Sequence, residues 1–277
     1  MLIRNYSFTW GDRTYIMGVL NTTPDSFSDG GEFDTVEKAV VQARSLRDAG
    51  ADILDIGGQS TRPQAAEISL QAELQRVIPV VQAVRQEMDL PISVDTTRAA
   101  VASAAIAAGA DMINDISGAT YDPAMLPTVA KLGVPIILMH IRGTPQTMQQ
   151  LTHYQDLIGE LVAFLQERIE AAVNTGIQRD LIAIDPGIGF AKTYAQNIEI
   201  LQHLSAFQSL NCPLLVGVSR KSFIGHILDQ PDPKQRVWGT AAACCAAIAH
   251  GADILRVHDV REMHDVCRVA DAIWRSR

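Results

Sequence analysis

The sequence predicts an α/β fold, a single (β/α)8 barrel, and three observations lead to this prediction. Short apolar runs typical of buried strands recur eight times along the chain. Segments with helical periodicity lie between them, such as residues 34–50, which end at a glycine. No linker-like stretch interrupts this alternation over 277 residues, as is typical of one closed barrel. An open, doubly wound sheet is the alternative.

The apolar runs indicate parallel strands. Apolar residues follow one another without alternating polar residues, as is typical of a parallel sheet that is buried on both faces. In chain order they are IMGVL (16–20), ILDIGG (53–58), ISVD (92–95), MIND (112–115), IILMH (136–140), IAID (182–185), LLVGVS (214–219) and ILRVHD (254–259). We expect residues 1–277 to form one domain. A turn at Trp-Gly-Asp (10–12) predicts a short N-terminal hairpin over the N-terminal mouth of the barrel.

A partial repeat marks equivalent joints between helix and strand. The segments AGADILDIGG, AGADMINDISG and HGADILRVHD each leave a helix at glycine and pass through Ala-Asp into a strand. This pattern places Asp52, Asp111 and Asp253 at the N-terminal end of the barrel, away from the end where barrel enzymes react. We therefore expect these three carboxylates to be structural.

Composition and charge narrow the possible partners. Hydrophobic residues make up 47% and charged residues 19% of the chain, and no run approaches the ~18 apolar residues of a membrane span. The N-terminus lacks the apolar region of a signal peptide, so we expect a soluble, cytoplasmic protein. A net charge of -8 argues against nucleic acid or a membrane as partner. The four cysteines lack C-x-x-C spacing and are expected to be reduced.

The candidate functional residues follow the predicted strands, because the active site of such a barrel lies at the C-terminal ends of its strands. We expect a converging polar ring. Its members are Asn21, residues 57–62, Asp95, Asn114, Asp115, His140, Asp185, residues 219–221, Arg256 and His258.

The ring combines two chemistries. Asp95, Asn114 and Asp185 can accept hydrogen bonds from a donor-rich heterocycle such as an amino-pyrimidinone. The basic members suit an anion such as phosphate, and they are Arg62, Lys221, Arg256 and His258. Because G-x-S-x-G, H-E-x-x-H and P-loop patterns are absent, the usual hydrolase, zinc peptidase and NTP-binding sites are not expected.

Long blocks of the sequence resemble the dihydropteroate synthases. They are GVLNTTPDSFSDGG, DIGGQSTRP, SVDT, INDISG, HIRGTPQTMQ, DPGIGFAKT, GVSRKSFIG and RVHDV, in that order. The resemblance runs from the first strand to the eighth. It implies a TIM barrel, expected as a homodimer, that acts in folate biosynthesis. The implied reaction joins 6-hydroxymethyl-7,8-dihydropterin diphosphate to 4-aminobenzoate and releases diphosphate with Mg2+ present.

The resemblance also implies roles for residues of this chain. The pterin would contact Asp95, Asn114, Asp185, Lys221 and Arg256. The diphosphate would contact Asn21, Arg62, Arg256 and His258, with Asn21 also meeting the metal. The 4-aminobenzoate pocket, where sulfonamides bind in this family, would include Thr61, Arg62, Pro63, Phe190, Ser219 and Lys221. The catalytic set would be Asp95, Asp185, Lys221, Arg256 and His258.

The chemistry of the substrates favours a dissociative displacement. Positive charge develops on the pterin methylene as diphosphate leaves, and nearby carboxylates stabilise it. The polar stretch NTTPDSFSDGG (21–31) predicts a mobile lid over this centre. Phe27, its one large apolar residue, is expected to pack near 4-aminobenzoate when the lid closes.

Two departures from the family pattern lie in the loop after the second strand. Gln59 stands where the family usually has Glu, and Gln64 where it often has Gly. The alternative functions are a pterin-dependent methyltransferase barrel and a non-catalytic pterin-binding paralogue. Retention of Asn21, Arg62 and Lys221 favours the synthase.

Overall fold

Eight parallel strands form a barrel surrounded by helices. The computed structural model describes residues 1–22, 32–62 and 65–275, with the backbone alone for residues 32–35. The barrel strands are β3 (Tyr15–Asn21), β4 (Ile53–Gly57), β5 (Ile92–Asp95), β6 (Met112–Asp115), β7 (Ile136–Met139), β8 (Ile182–Asp185), β9 (Leu215–Val216) and β10 (Ile254–Val257). Their order is β8-β7-β6-β5-β4-β3-β10-β9, and a bridge between Ile184 and Leu214 joins the last two edges. The predicted barrel is confirmed.

The helices of the described ranges follow the strands in chain order. They are α1 (Glu32–Asp48), α2 (Leu70–Glu87), α3 (Ala99–Ala108), α4 (Met125–Leu132), α5 (Leu157–Thr175), α6 (Tyr194–Gln202), α7 (Ser222–Ile227), α8 (Val237–Ala249) and α9 (Val260–Trp274). Their inward faces and the outward faces of the strands form the main apolar core. None of the helices described is long and apolar enough to cross a membrane.

Most predicted strands have the expected bounds, and 92–95, 112–115 and 182–185 agree residue for residue. The run 214–219 is the exception, because only Leu215–Val216 forms a strand. Gly217 follows directly, and glycine weakens a strand because it has no side chain to pack and loses much backbone entropy. The chain therefore leaves the sheet early, before Ser219 and Lys221.

The N-terminal hairpin closes the bottom of the barrel, as predicted. It consists of β1 (Leu2–Ile3) and β2 (Tyr6–Ser7), which pair antiparallel. Ile3 and Phe8 pack in one apolar cluster with inward-facing residues of the barrel strands. The turn was misplaced, however. It lies between the two short strands, whereas Trp10 stacks on Phe8 with ring centroids 5.5 Å apart. Trp10 is therefore part of the apolar cover at this mouth.

The three Gly-Ala-Asp joints have the structural role predicted for them. The carboxylate of Asp52 accepts the N–H of Ile16 at 2.8 Å, and that of Asp111 accepts the N–H of Ile92 at 2.8 Å. Asp253 likewise accepts the N–H of Leu214, at 3.0 Å. Each carboxylate thus satisfies a backbone donor where a neighbouring strand begins.

Candidate active site

A network of buried charges lies at the C-terminal end of the barrel, centred on Arg256 of β10. Arg256 Nε donates to Asp55 Oδ2 at 2.6 Å, and Nη2 donates to Asp95 Oδ2 at 3.0 Å. Asn114 Nδ2 donates to the same Asp55 oxygen at 3.1 Å. Strands β4, β5, β6 and β10 therefore bring these side chains together, including three of the predicted site residues.

Asp55 is a central residue of this network that sequence reasoning missed. It lies inside the apolar run ILDIGG rather than at a strand end, and its side chain is fully buried. A charged residue within a buried strand is rare unless it is paired, and that was the available signal. Its Oδ1 atom has no hydrogen-bond partner among the described residues. This oxygen is an acceptor that remains available inside the barrel.

The two predicted pterin carboxylates have raised pKa values. Burial raises the pKa of Asp95 to about 7, against the opposing effect of Arg256. Burial also raises the pKa of Asp185 to about 6, although its Oδ1 accepts the N–H of Gly187 at 2.7 Å. A ligand edge that donates hydrogen bonds would favour the ionised form of both carboxylates. These groups are therefore matched to a donor-rich heterocycle.

Lys221 lies against Phe190, and both residues are predicted for the 4-aminobenzoate pocket. Its Nζ atom is 4.3 Å from the centroid of the Phe190 ring. Burial lowers the pKa of Lys221 to about 8, with Asp185 acting in the opposite direction. The Lys221 ammonium therefore lies over the face of the Phe190 ring, and it also interacts with the charge of Asp185.

Ser219 and His258 form a second pair, which joins the loop after β9 to the residue that follows β10. The Oγ atom of Ser219 lies 3.0 Å from His258 Nδ1 and also accepts the His258 backbone N–H at 3.1 Å. Burial lowers the pKa of His258 to about 3, and the charge of Arg256 adds to this. The imidazole is therefore neutral near pH 7, so it can donate an N–H bond but supplies no positive charge to an anion.

His140, a predicted member of the polar ring, lies against a buried lysine at the end of β7. Its Nδ1 atom lies 3.1 Å from Lys192 Nζ, and its ring packs edge-on against Phe164. Lys192 also donates to the carbonyl of Phe190 at 2.8 Å, and burial lowers the pKa of this lysine to about 7. Sequence reasoning missed Lys192, a fully internal lysine that ties the end of β7 to the loop after β8.

Gly187 allows the loop after β8 to pack against the end of β7. Its φ is +72°, and a Cβ atom there would lie 2.0 Å from the carbonyl oxygen of His140. Only glycine fits so close to another backbone. The loop that carries Phe190 is consequently pressed against the end of β7.

Asn21, the residue predicted to meet a metal ion, supplies one amide oxygen at the C-terminal end of β3. It is the last residue of β3 and is paired in register with Gly57. Its Oδ1 atom lies 3.8 Å from the position of a Cβ on Gly57, on the same side as Asp95. The described residues contain no cluster of three or more His, Cys, Asp or Glu suited to a metal. One amide oxygen nevertheless fits Mg2+, which takes few protein ligands and completes its shell with phosphate and water.

The loop after β4 carries the remaining predicted residues. Thr61 is half-buried and Arg62 is exposed. Thr61 lines a cavity of ≈ 110 Å³ that extends to Asp95 and Ile116 and is bounded on its far side by residues 144–146. The loop is thus continuous with the Arg256 network. Phe27, Pro63 and Gln64 lie outside the described residues, and the predictions for them stand as predictions.

Comparisons with known proteins agree with this geometry. Residues 17–258 match the model of a family described as pterin binding enzyme. The chain is 62% identical to a dihydropteroate synthase of Synechocystis sp., over 97% of this chain and 93% of that protein. It is similar to the Yersinia pestis dihydropteroate synthase in a sulfonamide drug complex, with a TM-score of 0.92 and 44% identity over 99% and 98% of the two chains.

A third relative has a substrate in its structure. The Xanthomonas albilineans dihydropteroate synthase with 4-aminobenzoic acid superposes with a TM-score of 0.89, at 46% identity over 95% of this chain and 94% of that one. The family match extends over most of the barrel, and these relatives cover nearly the whole chain. The chain therefore belongs to the pterin-binding enzyme family, within the dihydropteroate synthases, which are transferases of folate biosynthesis.

Proposed function

We propose that the buried network around Arg256 is where 6-hydroxymethyl-7,8-dihydropterin diphosphate reacts with 4-aminobenzoate. The observation that carries this proposal is the convergence of Asp55, Asp95, Asn114 and Arg256 from four separate strands. Barrel enzymes place their reactive groups at this end. The network offers both acceptors for a heterocycle and a fixed guanidinium.

The pterin edge is assigned to the carboxylates. Asp185 accepts hydrogen bonds from the 2-amino group and N3, while Asp95 and Asn114 contact the opposite part of the ring. Lys221 donates to the ring carbonyl and N5, and Arg256 covers a ring face with its guanidinium. Each assignment matches a donor to an acceptor, and the carboxylate bonds are charge-assisted.

The diphosphate is assigned to Asn21, Arg62, Arg256 and His258. Arg62 supplies positive charge from the rim, and the neutral His258 supplies an N–H donor. Asn21 would also hold Mg2+, which would neutralise the charge that grows on the departing diphosphate. Because Arg256 is already paired with two carboxylates, Arg62 is the more available cation for the anion.

The 4-aminobenzoate pocket is assigned to Thr61, Arg62, Phe190, Ser219 and Lys221. In support, Phe190 and Lys221 are in contact, and the Xanthomonas albilineans relative has 4-aminobenzoic acid in its structure. Pro63 completes the set as predicted. Phe27 is proposed to cover the arylamine when its loop closes, and Phe27→Ala would then raise the 4-aminobenzoate KM or lower turnover. Unchanged values for both would contradict that role.

The chemical step is a dissociative displacement. The bond from the pterin methylene to the diphosphate oxygen breaks first, and diphosphate leaves with the electron pair. The arylamine nitrogen then forms the new carbon–nitrogen bond and loses a proton to solvent. Asp95 and Asp185 stabilise the transient positive charge on the pterin, so no covalent bond to the protein is required. Orientation of the weakly nucleophilic arylamine contributes more than a general base does.

The protein is proposed to act as a homodimer in the cytoplasm. Large exposed apolar side chains lie on helices α6, α7 and α8 and directly after α7, namely Tyr194, Ile227, Leu228 and Trp238. Trp238 is 78% exposed. Helix α6 is in contact with both α7 and α8, so these side chains lie on adjacent helices. Apolar surface of this kind is typical of a subunit interface. Sedimentation at a monomer mass across micromolar concentrations would contradict the dimer.

The test of the function is diphosphate release in defined mixtures. Release should require the pterin diphosphate, 4-aminobenzoate and Mg2+ together, with dihydropteroate formed in equal amount. Release without the arylamine would indicate simple hydrolysis. Pterin binding without any release would indicate a non-catalytic paralogue. Binding of a methylated reduced pterin in preference to the diphosphate would favour the methyltransferase alternative.

A further inference from the structure

One side chain spans the loop that follows β4. Gln59 Nε2 donates to the carbonyl of Ser60 at 2.8 Å and to that of Ala66 at 2.9 Å. Gln59 Oε1 accepts the backbone N–H of Ile68 at 2.8 Å. Both ends of the amide are therefore used, and the bonds to Ala66 and Ile68 join the start of the loop to its end.

The segment between these contacts carries Thr61 and Arg62. One further backbone hydrogen bond lies within this segment, in which the N–H of Ala65 donates to the carbonyl of Arg62 at 3.0 Å. Thr61 and Gln59 line the same cavity, which reaches Asp95. The conformation of this substrate-facing segment thus depends on a side chain that belongs to none of the assigned binding sets.

The charged residues around the cavity favour an uncharged side chain at position 59 in this chain. Glu67 and Glu73 also line the cavity, together with Arg98. Arg98 already pairs with both of them, through Nη2 to Glu67 at 2.6 Å and Nη1 to Glu73 at 2.8 Å. Of the described residues that line the cavity, Arg98 is the one cation. A carboxylate at position 59 would add a further acidic group to a cavity already lined by Glu67, Glu73 and Asp95, and it could not donate to either carbonyl.

We propose that Gln59 is a positioning residue that determines the affinity for 4-aminobenzoate. Its uncharged amide holds Thr61 and Arg62 in the arrangement that binds the arylamine, and both its donor and acceptor ends are needed. This inference rests on the proposed assignment of Thr61 and Arg62 to the 4-aminobenzoate pocket. It gives the glutamine in GGQSTRP, where the family usually has glutamate, a physical role in this chain.

The test uses two variants at this position and one matched control in the full-length enzyme. Gln59→Glu keeps the acceptor for Ile68 but removes both donated bonds, and Gln59→Met has a similar length but removes all three. Gln146→Glu adds the same charge at the opposite, exposed rim of the cavity. Steady-state kinetics are measured with each substrate varied in turn.

Both Gln59 variants should raise the KM for 4-aminobenzoate about five- to tenfold, as expected for lost hydrogen bonds. The KM for the pterin diphosphate and kcat should change far less, and Gln146→Glu should behave like the parent. A KM for 4-aminobenzoate at the parent value in both Gln59 variants would overturn the proposal. So would a change in Gln59→Glu alone, because added charge rather than lost bonds would then be responsible.

Amide hydrogen exchange of the substrate-free protein tests the loop separately from the assignment of its ligand. The amides of Ala65 and Ile68 should exchange faster in Gln59→Met than in the parent, and unchanged exchange would overturn the proposed positioning. Faster exchange with an unchanged KM would overturn the assignment of this loop to 4-aminobenzoate. The two failures are therefore distinguishable, and the exchange measurement does not depend on turnover.

Discussion

Replacement of Asp55 by asparagine tests whether this carboxylate holds Arg256 in place. Asp55 Oδ2 accepts from Arg256 Nε at 2.6 Å and from Asn114 Nδ2 at 3.1 Å. The amide oxygen of asparagine can still accept, and Arg256 keeps its bond to Asp95 at 3.0 Å. The change therefore keeps the hydrogen bond but removes the negative charge of its acceptor, and it should cost no more than one charge-assisted bond, about 1.5 to 3 kcal/mol.

Asp55→Ala should cost more, about 3 to 5 kcal/mol, because it removes the acceptor of both Arg256 Nε and Asn114 Nδ2 and leaves Arg256 paired with Asp95 alone. Urea denaturation measures the free energy of unfolding, and steady-state kinetics measure kcat/KM for the pterin diphosphate. Both values should fall in the order parent, Asp55→Asn, Asp55→Ala.

Asp115→Asn is the matched control for these variants. Asp115, which the sequence predicted for the polar ring, is also fully buried on a barrel strand, but its Oδ1 accepts from the Ser117 backbone and hydroxyl rather than from Arg256. The kcat/KM of Asp115→Asn for the pterin diphosphate should remain close to the parent value. If Asp55→Asn matched the parent in both stability and kcat/KM, the proposed role of Asp55 would be wrong.

Three further predictions concern the groups with shifted pKa values. Asp185→Asn should weaken pterin binding by about 1.5 to 3 kcal/mol in a titration, and unchanged affinity would remove Asp185 from the site. Because burial raises the pKa of Asp185 from 3.8 to about 6, the native state binds more protons than the unfolded state between these values. The contribution of Asp185 to the free energy of unfolding should thus fall as pH rises through this interval, and Asp185→Asn should lose that part of the dependence in urea titrations. Burial lowers the pKa of Lys192 from 10.5 to about 7, so the unfolded state binds more protons than the native state between these values. The contribution of Lys192 to the free energy of unfolding should therefore rise as pH rises from about 7 to 10.5, and Lys192→Met should lack this rise. An identical pH profile for Lys192→Met and the parent would contradict a buried amine at this position.

The positions of most candidate residues could be predicted from the sequence, because they depend on strand periodicity and on the polarity of a parallel barrel. Continuous apolar runs place the strands, and the C-terminal ends of parallel strands meet on one face. This reasoning correctly brought Asp95, Asn114 and Arg256 together. It also placed Asp52 and its equivalents at the opposite end.

Side-chain pairing and protonation were decided by the tertiary structure. Asp55 and Arg256 are 201 positions apart, and only the folded barrel brings β4 and β10, which are separated by β3 in the sheet, close enough for their side chains to bond. His140 follows a strand, as the site residues do, yet its ring turns toward Lys192 and the outer helices. The neutral state of His258 follows from burial and from the charge of Arg256. The sequence by itself determined the barrel and the face on which the polar residues lie, because both follow from local periodicity. Which of those residues pair, and with what charge, depends on distances and burial between strands far apart along the chain, and only the folded barrel decides them.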